Sequence, residues 1–436
     1  MRFILAVLLA KLVCFVGKPF GKATNLPGEL ALKVCPKLFK SFKFKGKILA
    51  VTGSNGKTST ANLVAHILSQ DGKSVINNAK GSNLTGGVAT VLAQSCNLKG
   101  EIDADYVVLE VDERFSRLIF KDFHPDYLLV TNLFRDQLTR NGNVDVIVSI
   151  LNEMIHKDTM LILNGDDPIS SILAPENTNR VYYSMNKTVY STEESLNITH
   201  DAKVCPKCFG KMNYQYYHYN HIGKFTCSHC GYTNYPSKYI ADEVDFETGT
   251  FKVNGIDCST SYKTIYNFLN TTAAIALCCE AGLEIDEVCK NASDFVIMKQ
   301  RYNEFDIGGR KAIMILSKNQ NPVSFDQSIS YITENKGEKT VIVYVNNINH
   351  TYNKDTTWLY DISFDRLNDC IDKIICTGPR GYDLAVRLQL NNFNMDKVII
   401  ETQIENLKPI VAQTKGDIYV LTELYDANTI INAIKD

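Results

Sequence analysis

The feature that most constrains this chain is a short polar turn between a predicted strand and a predicted helix. The apolar run KILAV leads into TGSNGKTS at 52–59, and ANLVAHILSQ follows with helical spacing. A turn in this place directs backbone N–H groups and the start of a helix towards phosphate oxygens, and Gly53 and Gly56 allow a close approach. Lys57 is then predicted to neutralise the outer phosphates, and the Thr58 hydroxyl to ligate Mg²⁺.

The pattern departs from the strict Walker motif, because Val51 stands where that motif has glycine. It matches a shorter form, T-G-x-N-G-K-T, in which Ser54, Asn55 and Ser59 are also predicted to bind the nucleotide. The competing interpretation is an ordinary Gly/Asn turn that binds nothing. The Lys-Thr-Ser-Thr run directly after Gly56 favours a phosphate loop.

Apolar runs alternate with helical patterns around this turn. SVINN, YVVLEVDE, YLLVTNL and TMLILNGDD are predicted strands within 74–167, and helical patterns separate them. Such alternation is typical of an α/β domain with a parallel sheet covered by helices on both faces. After residue 301 the alternation restarts with KTVIVYVNN, DKIICTG, DKVIIET and DIYVLTE. We therefore predict a nucleotide-binding domain over 1–300 and a smaller Rossmann-like α/β domain over 301–436.

An insertion rich in Cys, Tyr and His interrupts the first domain at 203–234. It contains two C-x-x-C pairs, Cys205/Cys208 and Cys227/Cys230, separated by eighteen residues. This is the spacing of a tetrahedral zinc site, and four thiolates leave no open position, so we predict a structural zinc ribbon. A redox dithiol, the alternative, needs only one such pair. The other nine cysteines have no pattern, which indicates buried thiols in a reducing compartment, the cytoplasm.

The amino terminus combines a basic start with apolar residues at helical spacing over 3–16. It resembles a weak signal peptide, but the apolar run is too short to span a bilayer and no convincing cleavage site follows. We predict a helix that docks on the core or lies near a membrane surface. The formal charge of −2 over 436 residues argues against an extensive nucleic-acid surface, which needs a net basic face.

Several segments resemble one family in the same order along the chain. They are TGSNGKTST at 52–60, GSN at 81–83, LEVDE at 109–113, TNLFRDQLTRNG at 131–142, LNGDDP at 163–168 and an N-x-x-N-x-x-A-A helix at 267–274. Together they resemble the central P-loop domain of Mur ligases and folylpolyglutamate synthases. The zinc-ribbon insertion, TNLFRDQ and the DTTW segment at 355–358 are similar to the MurT branch of that family.

The resemblance implies roles for polar residues at strand and helix ends. Glu110 is implied to complete the Mg²⁺ shell. Asn164 and Asp167 are implied to contact the nucleoside, and Asn267 the adenine. Arg301 is implied to reach the γ-phosphate. Each of these residues taken alone is more commonly structural, and for Glu110 the alternative is a solvated acidic end of a strand.

The same resemblance implies an activity and a partner. MurT proteins amidate the D-glutamate of the cell-wall precursor lipid II, with ammonia from a class I glutaminase subunit, GatD, in a heterodimer. Asp355 is implied to be the third member of the partner's Cys-His pair, where it would orient the imidazole; the alternative is a turn or helix-capping residue. Gln137 stands where amino-acid-adding Mur ligases carry a metal-binding His, which fits this branch. The stretch SKNQNPVSF at 317–325 departs most from the family pattern.

We therefore predict an ATP- and Mg²⁺-dependent amidoligase that phosphorylates the α-carboxylate of D-glutamate in lipid II and lets ammonia attack the acyl phosphate. Lys57, Glu110 and Arg301 are the predicted catalytic residues, together with Asp355 for the partner. Two alternatives stay open: a Mur or folylpolyglutamate-type ligase that adds an amino acid, and a zinc-ribbon binding module switched by nucleotide. The predicted location is the cytoplasm, and a peripheral position at the inner face of the membrane stays open as an alternative.

Overall fold

The computed structural model describes residues 1–20, 23–78, 82–136, 142–295, 302–318, 320–346, 355–423 and 426–434. They form two compact units. The first comprises Met1–Phe134, Val144–Glu194 and Asp201–Ile297, and the second comprises Arg135–Asn143, Ser195–His200 and Met298–Asp436. Two residues singled out above, Gln137 and Arg301, lie outside the described residues.

The secondary structure alternates between strands and helices through most of the chain. The helices are α1 (Arg2–Gly17), α2 (Leu26–Val34), α3 (Lys57–Gln70), α4 (Thr85–Ser95), α5 (Ser116–Ile119), α6 (Val144–Met154), α7 (Ile265–Glu280), α8 (Ile285–Ser293), α9 (Pro322–Glu334), α10 (Gly381–Leu390), α11 (Leu407–Val411) and α12 (Ala427–Ile434). The strands are β1 (Lys43–Phe44), β2 (Lys47–Thr52), β3 (Val75–Asn77), β4 (Glu101–Ile102), β5 (Tyr106–Glu110), β6 (Tyr127–Val130), β7 (Met160–Asn164), β8 (Arg180–Met185), β9 (Met212–Tyr219), β10 (Ile222–Cys227), β11 (Tyr239–Asp242), β12 (Thr250–Val253), β13 (Ile256–Ser259), β14 (Tyr302–Ile307), β15 (Arg310–Ser317), β16 (Lys339–Tyr344), β17 (Lys373–Thr377), β18 (Val398–Glu401) and β19 (Asp417–Glu423).

The first unit is built on a nine-stranded sheet with the order β13-β12-β11-β8-β7-β6-β2-β5-β3. The strands from β11 to β3 run parallel, and β12 and β13 add an antiparallel edge. β2 buries every residue after Lys47, as a strand covered on both faces must. The predicted parallel sheet is confirmed, and the polar turn follows the carboxyl end of a strand in its interior.

The amino-terminal helix α1 belongs to the core of the first unit. Ala6, Val7, Ala10 and Cys14 are buried, and the first three pack in one apolar cluster with residues of α2 and α4. The helix predicted over 3–16 is therefore confirmed. Within the described ranges, every helix is too short or too polar to cross a membrane.

The second unit has a six-stranded sheet with the order β14-β15-β19-β16-β17-β18. Neighbouring strands pair in parallel except β14 and β15, which form an antiparallel hairpin. Helices α9 and α10 cover one face, and α11 and α12 cover the other. Strands β16 to β19 confirm those predicted after residue 301, and the arrangement confirms a Rossmann-like α/β fold. The sequence pattern did not predict the β14–β15 hairpin.

Candidate active site and zinc centre

The turn between β2 and α3 requires glycine at two positions. Gly53 has a φ of +128° and Gly56 a φ of +86°, a region that residues with a Cβ rarely adopt. A Cβ on Gly53 would lie 2.2 Å from Thr131 Oγ1, and one on Gly56 would lie 2.5 Å from Asn270 Nδ2. Both glycines are therefore needed for the close packing around the turn, whether or not a nucleotide is bound.

The segment that follows β6 holds this turn in place. The Ser54 N–H donates to the Asn132 carbonyl over 2.8 Å, and the Asn55 N–H donates to Asn132 Oδ1 over 2.9 Å. The Thr131 hydroxyl donates to the Asn55 carbonyl over 2.7 Å, and the Phe134 N–H donates to Ser54 Oγ over 2.9 Å. Two N–H groups of the turn are thus already used, so a phosphate would meet the start of α3, where the first N–H groups of a helix have no partner within it.

Lys57 is the first residue of α3, and its ammonium group is buried. Nζ lies 2.7 Å from Glu113 Oε1 and also donates to the Gly53 carbonyl. Burial lowers the pKa of Lys57, but the carboxylates of Glu113, Asp112 and Glu110 together outweigh burial and raise that pKa above its usual value. The protein therefore keeps a cation under the turn, paired with a carboxylate of the LEVDE segment.

Glu110, at the end of β5, has a carboxylate in which only one of the two oxygens has a hydrogen-bond partner among the described residues. Its side chain is 2% exposed, and Asn83 Nδ2 donates to Oε1 over 2.7 Å. Oε2 is buried and has no hydrogen-bond partner among the described residues. An unpaired buried carboxylate oxygen is costly, and Mg²⁺ takes such oxygens as ligands. The geometry therefore favours the predicted Mg²⁺ ligand over a solvated strand end.

Asn164 and Asp167 are buried and support loops beside the turn. Asn164 Nδ2 donates to the Thr131 carbonyl over 3.0 Å. Asp167 Oδ2 accepts from the Leu133 N–H at 2.9 Å, and Oδ1 accepts from the Ile169 N–H at 2.8 Å. These side chains hold the end of β6 and the LNGDDP turn together. Their contact with a nucleoside stays a prediction.

The first turns of α7 pack against the phosphate loop. Asn270 lies beside Gly56, and Asn267 Nδ2 donates to Thr260 Oγ1 over 2.6 Å. Both asparagines are buried. A narrow cavity between α3 and α7 is lined by Ser59, Asn267 and Asn270, among others. The fold thus brings Ser59 and Asn267, both predicted to bind the nucleotide, to one cavity. The contact of Asn267 with adenine stays a prediction.

Four cysteine sulfurs meet in the inserted segment. The Sγ atoms of Cys205, Cys208, Cys227 and Cys230 lie within 4.8 Å of one another. The distance is 3.7 Å from Cys205 to Cys230 and 3.5 Å from Cys208 to Cys227. A tetrahedral site with Zn–S bonds of about 2.3 Å places its sulfurs about 3.8 Å apart, whereas a disulfide has an S–S bond of about 2.05 Å. The cluster therefore has the dimensions of a zinc site.

Backbone N–H groups point at these sulfurs. Those of Cys230 and His229 lie 3.5 and 3.4 Å from the Cys227 sulfur and lower the pKa of Cys227 to about 6, against the opposing effect of burial. The Lys207 N–H lies 3.4 Å from the Cys205 sulfur. Such contacts favour the thiolate, which is the form that binds a metal.

The ribbon also supports the loop that contains Asp167. Its hairpin of β9 and β10 brings His221 Nε2 to 3.2 Å from Asp167 Oδ1 and packs the His221 ring 4.6 Å from that of Phe134. The Gly223 N–H donates to the Asp166 carbonyl over 2.9 Å. The ribbon is therefore connected to the phosphate loop by two successive contacts: His221 packs on Phe134, and the Phe134 N–H donates to Ser54. No spacing in the sequence indicated this connection.

Asp355 precedes a short 3₁₀ turn, Thr357–Asp361, in the second unit. Its carboxylate accepts from the N–H and the hydroxyl of Thr357, both at 2.8 Å. The role of a turn residue, which was part of the alternative, is therefore present. The side chain is half-buried, and each carboxylate oxygen has a second lone pair, so the two bonds from Thr357 fix the group and leave it able to accept from a further donor.

Gln320, a residue with left-handed backbone, contacts Asp355 and is itself held by the buried acid Glu423. Gln320 has a φ of +49°, which costs a non-glycine residue free energy, and its Nε2 donates to the Asp355 carbonyl over 3.4 Å. The Gln320 N–H donates to Glu423 Oε1 over 2.8 Å. Burial raises the pKa of Glu423 to about 7. Glu423 thus holds the loop that reaches Asp355, a role that no sequence motif indicated.

The stretch at 317–325, which departs from the family pattern, has a structural role within the second unit. Lys318 Nζ forms an ion pair with Asp136, and Asn321 Nδ2 donates to Asp136 Oδ1 over 3.0 Å. Asn321 Oδ1 also accepts from the Ser324 N–H at 2.7 Å and so caps α9. This stretch therefore anchors Asp136 within the second unit.

Replacing Glu423 with glutamine is expected to remove a pH-dependent loss of stability. A carboxyl group whose pKa is raised from 4.5 to about 7 on folding stabilises the fold fully below pH 4.5, and this contribution is lost as the pH rises through 7. Glutamine keeps the acceptor for the Gln320 N–H without the charge, so the variant should exceed the wild type by roughly 1–3 kcal/mol above about pH 7. Urea unfolding across this range checks the prediction, and a difference that is independent of pH would contradict it.

Comparison with known proteins gives the family. Over 421 residues, 95% of this chain and 94% of the relative, the chain is 31% identical to the lipid II isoglutaminyl synthase (glutamine-hydrolyzing) subunit MurT of Staphylococcus aureus (strain COL). The chain belongs to the MurT family. The MurT subunit of Streptococcus pneumoniae (strain ATCC BAA-255 / R6) is 27% identical over 414 residues, 93% of this chain and 91% of that one. Residues 316–427 match the family described as MurT ligase C-terminal, and 51–230 match the Mur ligase middle domain.

Solved structures show the same architecture. A pseudomurein peptide ligase type C from Methanothermus fervidus superposes with a TM-score of 0.68 at 20% identity, over 92% of this chain and 81% of that one. MurF from Acinetobacter baumannii gives 0.65 at 15% identity, over 93% and 80%. The predicted Mur ligase fold is confirmed, and as a MurT-family protein the chain is an ATP-dependent ligase of the Mur type.

Proposed function

We propose that this MurT-family chain converts the α-carboxylate of D-glutamate in lipid II to the carboxamide, as a step of peptidoglycan biosynthesis. The observation that carries the proposal is the similarity to MurT subunits along 95% of the chain, because those relatives are named for this conversion. The buried Lys57 and the unpaired Glu110 oxygen beside the turn support a site for ATP and Mg²⁺.

The proposed reaction has two steps. An oxygen of the carboxylate attacks the γ-phosphorus of ATP, and ADP leaves, which gives an acyl phosphate. Ammonia then attacks the carbonyl carbon, phosphate leaves, and the nitrogen loses a proton. Catalysis of this kind consists mainly of positioning and charge neutralisation.

The chain's own residues divide these tasks. The start of α3 and Lys57 would bind the outer phosphates, which compete with Glu113 for the ammonium group. Thr58 and Glu110 would hold Mg²⁺, which when bound neutralises phosphate charge. Arg301 is proposed to reach the γ-phosphate. The four cysteines are proposed to hold a structural Zn²⁺, since a closed Cys₄ site has no position for a substrate.

The nitrogen donor distinguishes this reaction from that of the amino-acid-adding Mur ligases. With lipid II and ATP, we expect phosphate release and carboxamide formation to depend on ammonium, and free amino acids to give neither. Mass spectrometry of the lipid II product, with ammonium and glutamate supplied in separate reactions, checks this. A product that contains glutamate, with none from ammonium, would make the chain an amino-acid-adding ligase.

Ammonia is proposed to come from glutamine, hydrolysed by a GatD-like class I glutaminase that forms a heterodimer with this chain. Asp355 would orient the imidazole of the partner's Cys-His pair. The two hydrogen bonds from Thr357 hold its carboxylate in one position, as such a role requires. The complex would act in the cytoplasm, at the inner face of the membrane where lipid II is accessible.

Asp355→Asn is expected to abolish glutamine-dependent amidation and to spare ammonia-dependent amidation. Asparagine keeps an oxygen that accepts from the Thr357 N–H but loses the charge that stabilises an imidazolium, a loss of about 10³–10⁴-fold in comparable triads. The two activities are measured on the complex, with the exposed Asp396→Asn as the matched control. Equal loss of both activities would refute the role in the triad.

A further inference from the structure

The outer face of α1 is entirely apolar. Leu5, Leu8, Leu12, Phe15 and Val16 are 59%, 49%, 59%, 78% and 56% exposed. At 100° per residue these side chains fall within one arc of the helix, and no charged residue lies within that arc. Monomeric proteins rarely expose a contiguous apolar surface of this kind unless it binds something.

The opposite face of α1 is fixed in the protein. Ala6, Val7 and Ala10 are fully buried in the core of the first unit, and the Lys11 ammonium donates to the Cys96 carbonyl over 2.8 Å. The helix is therefore held on a folded support, and the exposed arc is presented without any need for the chain to unfold.

The charge of the chain is divided unevenly around this helix. Residues 1–47 contain ten Lys and Arg against one acidic residue, Glu29, a net charge of +9, so the remaining residues carry −11. A chain that is nearly neutral overall thus has a strongly basic amino-terminal segment. Asymmetry of this kind indicates binding to an anionic surface.

Several of these lysines are available for such binding. Lys18, Lys33, Lys37, Lys40 and Lys43 are exposed and form no ion pair with another described residue. Lys18 and Lys43 lie near opposite ends of α1. Lys18 directly follows the helix, and at its start the Phe3 ring packs 5.9 Å from that of Phe42, the neighbour of Lys43.

We propose that the exposed face of α1 and the surrounding lysines form a docking surface for an anionic lipid bilayer. The apolar arc enters the boundary between headgroups and acyl chains, and the lysines bind the headgroups. Neither signal alone gives stable binding, but an apolar anchor combined with a basic patch does. Docking itself does not depend on the proposed function. Its benefit rests on that function, because docking would bring the chain to the bilayer in which a lipid-linked substrate is held.

Co-sedimentation of the full-length chain with vesicles tests the proposal. We expect binding to phosphatidylcholine vesicles that contain phosphatidylglycerol, and much weaker binding to phosphatidylcholine alone. Leu12→Ser combined with Phe15→Ser should lower the partition coefficient at least about tenfold. Tyr382→Ser with Leu390→Ser is the matched control, because these side chains are equally exposed on α10, and it should leave binding unchanged.

Separate lysine variants test how much charge contributes to vesicle binding. Lys37→Gln with Lys40→Gln and Lys43→Gln should weaken binding to anionic vesicles by tenfold or more, and so should salt at about 1 M, where the screening length is about 3 Å. Equal binding to neutral and anionic vesicles would overturn the proposal, and so would no binding to either. A change in oligomeric state or partner binding in the α1 variant, with vesicle binding intact, would make this face a protein interface instead.

Failure of docking can be told apart from failure of the proposed function. The α1 variants should retain ammonia-dependent amidation of a lipid II analogue that lacks its lipid chain. If the wild type binds vesicles but never amidates this analogue, the proposed function fails and docking stands. If it amidates the analogue but does not bind vesicles, docking fails and the function stands.

Discussion

Lys57→Met is expected to lower ATP-dependent amidation by a factor on the order of 10³ or more. The cation under the phosphate loop is the charge closest to the start of α3, and phosphoryl transfer depends on charges that are already in place. The variant should also be less stable, because it breaks the buried ion pair between Lys57 and Glu113, at a cost of roughly 3–5 kcal/mol. The rate of amidation and urea unfolding are the two measurements.

A double variant separates the two effects of Lys57→Met. Adding Glu113→Gln removes the carboxylate charge that Lys57 offsets in the wild type, so stability should recover in large part while activity stays lost. Lys47→Met removes a lysine from the start of β2 whose ion pair with Asp126 is exposed, and it should change both quantities little. Recovery of activity in the double variant would show that Lys57 serves only to neutralise Glu113.

Loss of the proposed structural zinc is expected to weaken ATP binding as well as to unfold the ribbon. Cys227→Ser should abolish zinc binding and lower the melting temperature, because a structural zinc site contributes folding free energy directly. The hairpin of β9 and β10 would then no longer hold His221 against Asp167. Since Asp167 supports the segment that holds the phosphate loop, the KM for ATP should rise. Metal content, thermal unfolding and KM are measured on the same preparations.

His221→Phe tests the connection without disturbing the four cysteines. Phenylalanine keeps the packing against Phe134 but leaves Asp167 without one buried partner, a loss of about 1–3 kcal/mol. Zinc content should stay normal while the KM for ATP rises. Cys370→Ser, a half-buried cysteine of the second unit, is the control for Cys227→Ser. An unchanged KM in both the zinc-free and the His221 variants would show that the ribbon does not act on the ATP site.

Patterns with short-range physical causes could be predicted from the sequence. The parallel strands of both sheets follow from apolar runs of strand length, and the cluster of four cysteines follows from the spacing of Cys205 to Cys230. The turn at Gly53 and Gly56 follows from glycines placed between a strand and a helix. In each case the sequence signal is a continuous run of residues or a fixed spacing along the chain.

Contacts between distant segments could not be predicted in this way. Nothing in the spacing of Glu113 and Lys57 shows that they pair, and the link from His221 to Asp167 depends on how the inserted hairpin lies on the sheet. The β14–β15 hairpin is different, because Gly308 and Gly309 form a recognisable two-residue turn between an alternating run, YNEFDI, and an apolar run, AIMIL. That signal was present in the sequence and was missed.

The most direct test of the proposed reaction follows the oxygen of the substrate carboxylate. Lipid II labelled with ¹⁸O in the α-carboxylate of D-glutamate is incubated with the chain, Mg²⁺, ATP and ammonium, and both lipid II and phosphate are analysed by mass spectrometry. Phosphorylation of the carboxylate followed by attack of ammonia predicts one labelled oxygen in inorganic phosphate for each carboxamide formed. Carboxamide with unlabelled phosphate, or labelled phosphate with an amino acid joined to lipid II, would contradict the account.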